Sequence, residues 1–343
     1  MKHRIVWIDT LKGYAICMMM FSHMEFAPDG VKNFISPLFL AGFFVAAGYT
    51  FHGESDIKTF LLKKCRTLLW PWLVFASFNI LLTQILTFSE QEPLSMQFRS
   101  LFLQIRGQND GLWFFPCMFC VTILYHLLQK LFPCKYLFFG LQPLLLAAGM
   151  FYTMAGGPDL PWHIQMWGAG CFYMAVGNLY RLCQDRLTFL QGKQYICLSF
   201  LIFTVASLLC FHRYPDVHIN FYDYGPSPLF YLVIMLSGTV FFIQIVQALP
   251  TVPAISYAGQ NSLLYFAFHG KPKRLFTVLF TKTGLVSSGY VLNLLLALAE
   301  VLILVYLLIL PCEIIRRFFP FLLGHAYQPT KQNTQTGRWL NRQ

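Results

Sequence analysis

Runs of about 20 apolar residues recur along almost the whole chain, and they restrict the folds open to it. A helix rises about 1.5 Å per residue, so about 20 residues cross a hydrocarbon core about 30 Å thick. Because lipid offers no hydrogen bonds to the backbone, such runs must form helices that satisfy their own polar groups. We predict ten membrane-spanning helices, at 5–25, 33–52, 68–88, 112–132, 136–155, 164–182, 195–212, 227–248, 257–281 and 288–311.

The composition points to the same class of protein. Of the 343 residues, 57% are hydrophobic and only 11% are charged, whereas a soluble domain has about 25% charged residues. The fold class that we predict is therefore an all-α polytopic membrane protein with about ten transmembrane helices. We expect one integral membrane domain over residues 1–320 and a short polar cytosolic tail over residues 321–343.

The net charge of +11 is distributed unevenly along the chain. If the N-terminus lies in the cytosol, ten spans place 16 of the 25 Lys and Arg residues on the cytosolic side. The short cytosolic loops of membrane proteins carry such an excess of positive charge. We therefore expect both termini in the cytosol, and the basic excess indicates membrane topology rather than a nucleic-acid partner.

Three basic residues at the end of the ninth predicted span depart from this distribution. Lys271, Lys273 and Arg274 would lie in the outer half of the membrane or just beyond it. Either the span ends early, at His269, or these side chains line an aqueous cavity. The sequence leaves both alternatives open.

Three ionisable residues share one face of the first predicted helix. At about 100° per residue, Asp9 and Lys12 both fall within about 40° of His23 around the helix axis. The helical rise puts Lys12 and His23 about 16 Å apart, so both can face one elongated cavity. Alternatively, Asp9 and Lys12 form an ion pair at the interface, while Lys12 and His23 each reach water. Because charge inside a membrane is costly, we interpret the shared face as a functional site.

Polar residues also interrupt the apolar runs in two other places. In the segment 256–270, Asn261 or Ser262 can cap the start of a helix, and Ser262 lies on the same helical face as His269. His269 is explained equally well as a buried core residue whose hydrogen bonds are satisfied within the protein. At the head of the fourth span, Trp113 is explained either by a pocket wall or by the aromatic belt at the membrane surface.

Two segments next to the spans have patterns of their own. Lys63, Lys64 and Arg66 lie beside apolar residues on the cytosolic side of the predicted topology. We expect them to face anionic lipid headgroups or an anionic ligand. The loop at 89–111 has apolar residues at helical spacing, which predicts either an amphipathic helix on the outer membrane surface or an ordinary packed loop.

Most of the ten cysteines lie within the predicted spans. Cys117 and Cys120 have the spacing of a redox or metal-binding pair, but they lie among apolar residues of a single helix. We interpret them as buried, inert thiols, and we predict no metal site.

Seven segments of the chain carry a set of motifs in a fixed order. They are WIDTLKGYAICMMMFSH at 7–23, FFVAAGY at 43–49, KKCRTLLWPWL at 63–73, GLWFFPCMF at 111–119, WGAGCFYMAVG at 167–177, YGPSPLFYLVIMLSG at 224–238 and SYAGQNSLLYFAFHG at 256–270. Together they resemble the acyltransferase-3 superfamily of integral membrane acyltransferases, and especially its fucose 4-O-acetylase-like branch. The resemblance covers about residues 4 to 312, which makes 1–320 an integral membrane acyltransferase domain.

The resemblance implies an O-acyltransferase, typically an O-acetyltransferase that takes an acetyl group from acetyl-CoA, and an acyl group other than amino-acyl. The acceptor would be a hydroxyl of a cell-envelope carbohydrate or glycolipid. The expected location is the bacterial inner (cytoplasmic) membrane, so the lipid bilayer is a further partner. Neither a metal nor a nucleic acid is implied, and a homo-oligomer remains open.

The resemblance also implies roles for individual residues. The family's Arg, with a His eleven positions later, falls on Lys12 and His23. His23 would act as general base or as a transient acyl carrier, with Lys12 and Asp9 completing the catalytic group. Lys lacks the bidentate fork of Arg at this position. Ala47 stands where the family often has Ser, which argues against a nucleophile there.

The remaining candidate residues fall into two groups. Lys63, Lys64 and Arg66 would bind the phosphates of coenzyme A, because that donor occurs on the cytosolic side. The acceptor half of the site would be lined by Trp113, Asn261, Ser262 and His269.

A transporter or flippase of a polar envelope precursor is the alternative function. It explains ten spans and intramembrane charges equally well, but it predicts paired repeats and broken helices that the sequence supports only weakly. A purely structural membrane protein would leave the shared face of the first helix unexplained.

Overall fold

The protein is described by a computed structural model that covers residues 4–54, 56–86, 92–107, 112–286 and 289–324. Within these residues the chain is about 80% helical and contains no strand. The helices are α1 (Val6–Ser22), α2 (Asp29–Tyr49), α3 (Ile57–Lys64), α4 (Trp70–Leu86), α5 (Leu94–Leu103), α6 (Phe114–Leu131), α7 (Lys135–Met154), α8 (Trp167–Cys183), α9 (Lys193–Arg213), α10 (Pro228–Ala248), α11 (Pro253–Gln260), α12 (Ser262–Phe268), α13 (Gly270–Lys282), α14 (Tyr290–Leu307) and α15 (Ile309–Phe318).

Seven of the helical stretches in the described residues are long and apolar enough to cross a membrane. They are α2, the stretch Ile57–Ile85, α6, α7, α9, α10 and the stretch Tyr290–Phe318. Large apolar side chains on their outer surfaces are exposed, as Leu144, Leu208 and Leu295 illustrate. A soluble protein would not leave such surfaces in water. The predicted class, an all-α polytopic membrane protein, is therefore confirmed.

The other three predicted spans also correspond to helices, but not to long apolar ones. Helices α1 and α8 have 17 residues each, and α1 carries Asp9 and Lys12. The ninth predicted span, 257–281, is divided among α11, α12 and α13. A total of ten spans and the cytosolic position of both termini stay predictions.

The start of the ninth span differs from the prediction. The helix begins at Pro253, whose fixed backbone angle suits a first helical position. Asn261 therefore lies at an interruption between α11 and α12, where its side-chain amide donates a 2.9 Å hydrogen bond back to the Tyr257 carbonyl. No side-chain cap is present at the start of α12, so the predicted cap by Asn261 or Ser262 was wrong. The chain is already helical before this point.

Helix α1 approaches α11 closely through a reciprocal pair of glycines. Gly13 of α1 lies against the backbone of Ile255, and Gly259 of α11 lies against the backbone of Asp9. A Cβ atom at either position would overlap the facing carbonyl group. Small residues allow membrane helices to pack at such short distances. This pair therefore fixes α11 against the charged part of α1.

Helices α2 and α8 pack in the same way. Gly48 of α2 lies against the backbone of Met174, and Gly177 of α8 lies against the backbone of Val45. Helix α1 also packs along α2, so the two glycine contacts join four helices around α1 and α2. The charged first helix is thereby held inside the bundle, with Leu11, Ala15 and Ile16 fully buried.

The predicted amphipathic helix in 89–111 is present as α5. It buries Leu101 and Gln97, while Leu94 and Phe102 are exposed. The helix itself is confirmed, and its position on the membrane surface stays a prediction. Beyond α15, Phe321 accepts a 3.0 Å hydrogen bond from the Trp70 indole. Most of the predicted tail, 321–343, lies outside the described residues.

The close approach of α1 and α11 can be tested with alanine substitutions. We expect Gly13→Ala to destabilise the detergent-solubilised protein by about 1–3 kcal/mol, because the added methyl group overpacks the contact. Gly140→Ala in α7 is the matched control, since no atom lies within 4 Å of the position of its added Cβ. There the gain in helix propensity makes the change neutral or stabilising by up to about 1 kcal/mol. Equal melting temperatures for the two variants would contradict the proposed packing.

Candidate active site

The first turn of α1 holds a buried carboxylate between two cations. The Asp9 side chain contacts Lys12 Nζ at 3.0 Å and Arg4 Nε at 2.6 Å. Asp9 is 6% exposed, and a buried carboxylate of this kind requires such partners. The ion pair that the interfacial interpretation predicted is therefore present. It does not exclude the functional interpretation, because both Asp9 and Lys12 also line a cavity.

That cavity, which we call the Lys12 cavity, has a volume of about 770 Å³. Its charged lining residues are Arg4, Asp9, Lys12, Lys63 and Lys64. Its apolar lining includes Phe43, Phe114, Phe115, Met118 and Phe266. The cavity follows α1 from Arg4 to Ile16 and so combines a cationic part with an aromatic part.

Two of the three basic residues predicted near this region reach the cavity. Lys63 lies 2.7 Å from a Glu54 carboxylate oxygen, and Lys64 lies over the Phe60 ring at 5.4 Å. Arg66 is exposed and does not line the cavity. It belongs to a π-helical turn, Cys65–Leu69, between α3 and α4. Such a turn inserts an extra residue and shifts the helical faces, which accounts for the different direction of Arg66.

The C-terminal end of α1 lines a second cavity, which we call the His23 cavity, of about 350 Å³. The backbone N–H of His23 closes the helix by bonding to the Met19 and Met20 carbonyls. The His23 side chain is exposed toward this cavity, and the predicted residue Trp113 lines it as well. An accessible imidazole beside an aromatic ring suits a polar organic substrate.

His269 lies directly beside His23, with the two ring centroids 5.3 Å apart. His269 is buried, and its Nδ1 lies 2.9 Å from the Phe266 carbonyl. Because a carbonyl oxygen only accepts, Nδ1 carries the hydrogen and Nε2 is the other ring nitrogen available for proton exchange. The structure therefore brings together His23, His269 and Trp113 from three separate parts of the sequence.

Lys273, one of the three basic residues at the end of the ninth predicted span, contacts the end of α1. Helix α12 ends at Phe268, and α13 begins at Gly270. The Lys273 ammonium donates a 2.9 Å hydrogen bond to the His23 carbonyl and lies 3.6 Å from a Glu25 carboxylate oxygen. Lys273 thus ties α13 to the end of α1, whereas Lys271 donates a hydrogen bond to the Thr83 hydroxyl of α4. Where the ninth span ends in the membrane stays an open question.

The two cavities are neighbours, and both are lined by Phe266. The Phe266 ring lies 5.8 Å from Phe114 and 5.2 Å from Phe115. The sequence predicted that Lys12 and His23 can face one elongated cavity. Instead, an aromatic partition from α12 and α6 separates two cavities along the same helix.

The remaining predicted site residues divide between the two sides of this partition. Ser262 lines the Lys12 cavity, whereas His269 lies beside His23. The two share a helical face, but the ring of Phe266 lies between their positions along the chain. Asn261 is buried and lines neither cavity.

Sequence reasoning missed several residues of the His23 cavity. Arg106 packs on the ring of Tyr222 at 4.3 Å, and Lys32 lines the same cavity. His218 donates from Nδ1 to the Asn33 side-chain oxygen at 2.6 Å. Neither Lys32 nor Arg106 is among the site residues predicted from the sequence. No local pattern joins them, because Lys32 lies at the start of α2 and Arg106 lies after α5, and the two meet only in the folded chain.

No cluster of three or more His, Cys, Asp or Glu side chains that could hold a metal ion occurs in the part of the chain described. Cys117 and Cys120 are both free thiols. Cys117 is buried among the core residues of α6, and Cys120 is half-buried.

Membrane-length helices with two open cavities beside α1 define a multi-pass membrane protein with a candidate site. The model of the acyltransferase-3 family, described as an acyltransferase domain, matches residues 5–310. The chain belongs to this family and is an acyltransferase, so the predicted superfamily is confirmed. Comparison with curated proteins and with solved structures gave no match.

The buried ion pair of Asp9 can be tested against an exposed one. We expect Asp9→Asn to lower the free energy of unfolding by about 1–3 kcal/mol, since two cations lose a buried, charge-assisted partner. Glu54→Gln is the control, because the Glu54–Lys63 contact is of similar length but solvent-exposed, and such pairs contribute about 0–1 kcal/mol. Thermal unfolding in one detergent would compare the two. Equal losses of unfolding free energy in Asp9→Asn and Glu54→Gln would show that burial does not make the Asp9 ion pair stronger than an exposed one.

Proposed function

We propose that the protein transfers an acetyl group from acetyl-CoA to a hydroxyl of a cell-envelope carbohydrate or glycolipid. The observation that carries this proposal is the pair of cavities along α1, one lined by Lys12, Lys63 and Lys64 and the other by His23, that meet at Phe266. This arrangement gives a donor side and an acceptor side with one helix common to both. The bacterial inner membrane and the fucose 4-O-acetylase-like branch are parts of the same proposal.

The Lys12 cavity has the properties that an acyl-CoA donor requires. Lys12, Lys63 and Lys64 offer positive charge for phosphate groups. The aromatic part around Phe114 and Phe266 suits the less polar arm that carries the thioester. With the N-terminus in the cytosol, this cavity opens on the side where acyl-CoA occurs. In this proposal Ser262 belongs to the donor side, and Arg66 lies outside the binding site.

His23 has the position required of the group that handles the acceptor proton. In direct transfer, His23 removes the hydroxyl proton, the oxygen bonds to the acyl carbon, and the carbon–sulfur bond breaks. The leaving thiolate then receives a proton, so atoms and charge balance. In the alternative route His23 itself displaces the thiolate and carries the acyl group to the hydroxyl. Both routes need an accessible imidazole at the boundary between the two cavities.

The neighbours of His23 control its position and the local charge. His269 is oriented by the Phe266 carbonyl and can exchange a proton with His23 or the substrate. Lys273 fixes the His23 backbone through the carbonyl oxygen. Lys12 is held by Asp9 in the donor cavity, about 16 Å along the helix from His23. Its role is therefore to bind the donor rather than to touch the reacting hydroxyl.

Removal of His23 tests the base assignment. We expect His23→Ala to reduce acetyl transfer at least about 100-fold, because general-base catalysis contributes about that much. The control is His212→Ala, an exposed histidine in the last turn of α9. Transfer of labelled acetyl from acetyl-CoA by equal amounts of membrane-inserted protein is the measurement. An undiminished rate in His23→Ala would rule out its assigned role.

Charge removal in the donor cavity tests the binding of the donor. We expect the double variant Lys63→Gln and Lys64→Gln to raise KM for acetyl-CoA about 10-fold or more with a smaller change in kcat, because ground-state contacts to phosphate are lost. Lys58→Gln is the control, since Lys58 lies in the same helix and is exposed outside the cavity. If the Lys58 variant raises KM for acetyl-CoA by the same factor, the effect comes from the overall surface charge and not from contacts in the Lys12 cavity.

A further inference from the structure

The boundary between the two cavities is made of aromatic side chains from three helices. Phe266 of α12 lines both cavities, and the two described linings share no other residue. Its ring centroid lies 5.8 Å from that of Phe114 and 5.2 Å from that of Phe115, both at the start of α6. The Phe43 ring of α2 lies 5.3 Å from the Phe114 ring. Phe114, Phe115 and Phe43 all line the Lys12 cavity, so this cavity borders the other one through a group of packed rings.

The side chains of this group have little room to move. Phe43, Phe114, Phe115 and Phe266 are 6%, 5%, 6% and 9% exposed. Ile16 of α1, which lines the same cavity, is fully buried. Interiors packed in this way respond to a change in volume of even one methylene group, because neighbouring side chains are forced out of their preferred rotamers. A substituent placed against these rings is therefore limited in size.

The acyl group of a bound donor has to reach this boundary. In the proposed function, Lys12 lies on the phosphate-binding part of the donor cavity, and the reacting imidazole of His23 lies in the other cavity. The Phe266 ring lies 6.1 Å from the ring of His269, which is itself the neighbour of His23. The acyl carbon bonds to an atom held beside His23, so the rest of the acyl group comes to lie against Phe266.

We propose that Phe266 sets the upper limit on the length of the acyl group, so that the protein transfers acetyl and discriminates against longer acyl chains. This inference rests on the proposed acyltransferase function and names a residue that determines its donor specificity. One methylene group more or less in an apolar pocket changes specificity about 10- to 200-fold. Phe266 forms no bond to the reacting atoms, and its effect comes from the volume that its ring occupies.

A series of donors measures this limit in the wild-type protein. The purified protein in nanodiscs receives acetyl-CoA, propionyl-CoA or butyryl-CoA, with an envelope glycan extract as acceptor. Free coenzyme A and acylated glycan are measured together, and kcat/KM is determined for each donor. We expect kcat/KM for butyryl-CoA to lie at least about 10-fold below that for acetyl-CoA, because its chain is longer by two methylene groups.

Truncation of Phe266 then assigns the limit to this ring. We expect Phe266→Ala to bring butyryl-CoA and acetyl-CoA close to parity, because the space left by the phenyl ring collapses only in part and can hold the added methylene groups. Phe266→Leu should shift the ratio in the same direction by less. Phe268→Ala is the matched control, since Phe268 lies in the same helix, packs on Phe75 at 5.3 Å and lines neither cavity. It should retain the wild-type ratio.

The ratio of two kcat/KM values does not depend on how much of the protein is folded, because the same sample is used with both donors. Three results would overturn the proposal while leaving the acyltransferase function intact. The wild type could use butyryl-CoA as well as acetyl-CoA, both Phe266 variants could keep the wild-type ratio, or Phe268→Ala could change the ratio as much as Phe266→Ala. Failure of the proposed function itself is recognised separately, because no donor would then release coenzyme A.

Discussion

The burial of a charged helix inside an apolar bundle is the constraint on which the rest of the structure depends. Helix α1 carries Asp9, Lys12 and, at its end, His23, and hydrocarbon solvates none of these groups well. Protein must therefore surround the helix, and the reciprocal contacts of Gly13 and Gly259 let α11 come close enough to do so. The space that remains along the polar face of α1 forms the two cavities. The buried charges of α1 therefore determine both how the neighbouring helices pack and where the cavities lie.

Phe266 lies at the boundary between the two cavities. Its ring lines both cavities, and its carbonyl orients His269. One residue therefore separates the Lys12 cavity from the His23 cavity and accepts the hydrogen bond that orients the His269 ring.

The sequence predicted the parts of the structure that depend on local periodicity. The helical class, the shared face of Asp9 and Lys12, and α5 all follow from spacing along one helix. The interruption at Asn261 was missed because polar residues with the same pattern start a helix as readily as they break one. The π-helical turn at 65–69 removed Arg66 from the face of Lys63, although a spacing of three would unite them on a regular helix. Lys32 and Arg106 line the same cavity although they lie far apart in the sequence, and no local pattern encodes that proximity.

The central claim is that acetyl-CoA reacts inside this membrane domain. The most direct test is to supply acetyl-CoA labelled in the acetyl group to the purified protein in nanodiscs, with an envelope glycan extract as acceptor. Free coenzyme A and labelled ester are then measured together. We expect one molecule of free coenzyme A to be released for each labelled ester formed. Unreacted acetyl-CoA, together with movement of the glycan across a sealed vesicle membrane containing the protein, would contradict it and favour a transporter.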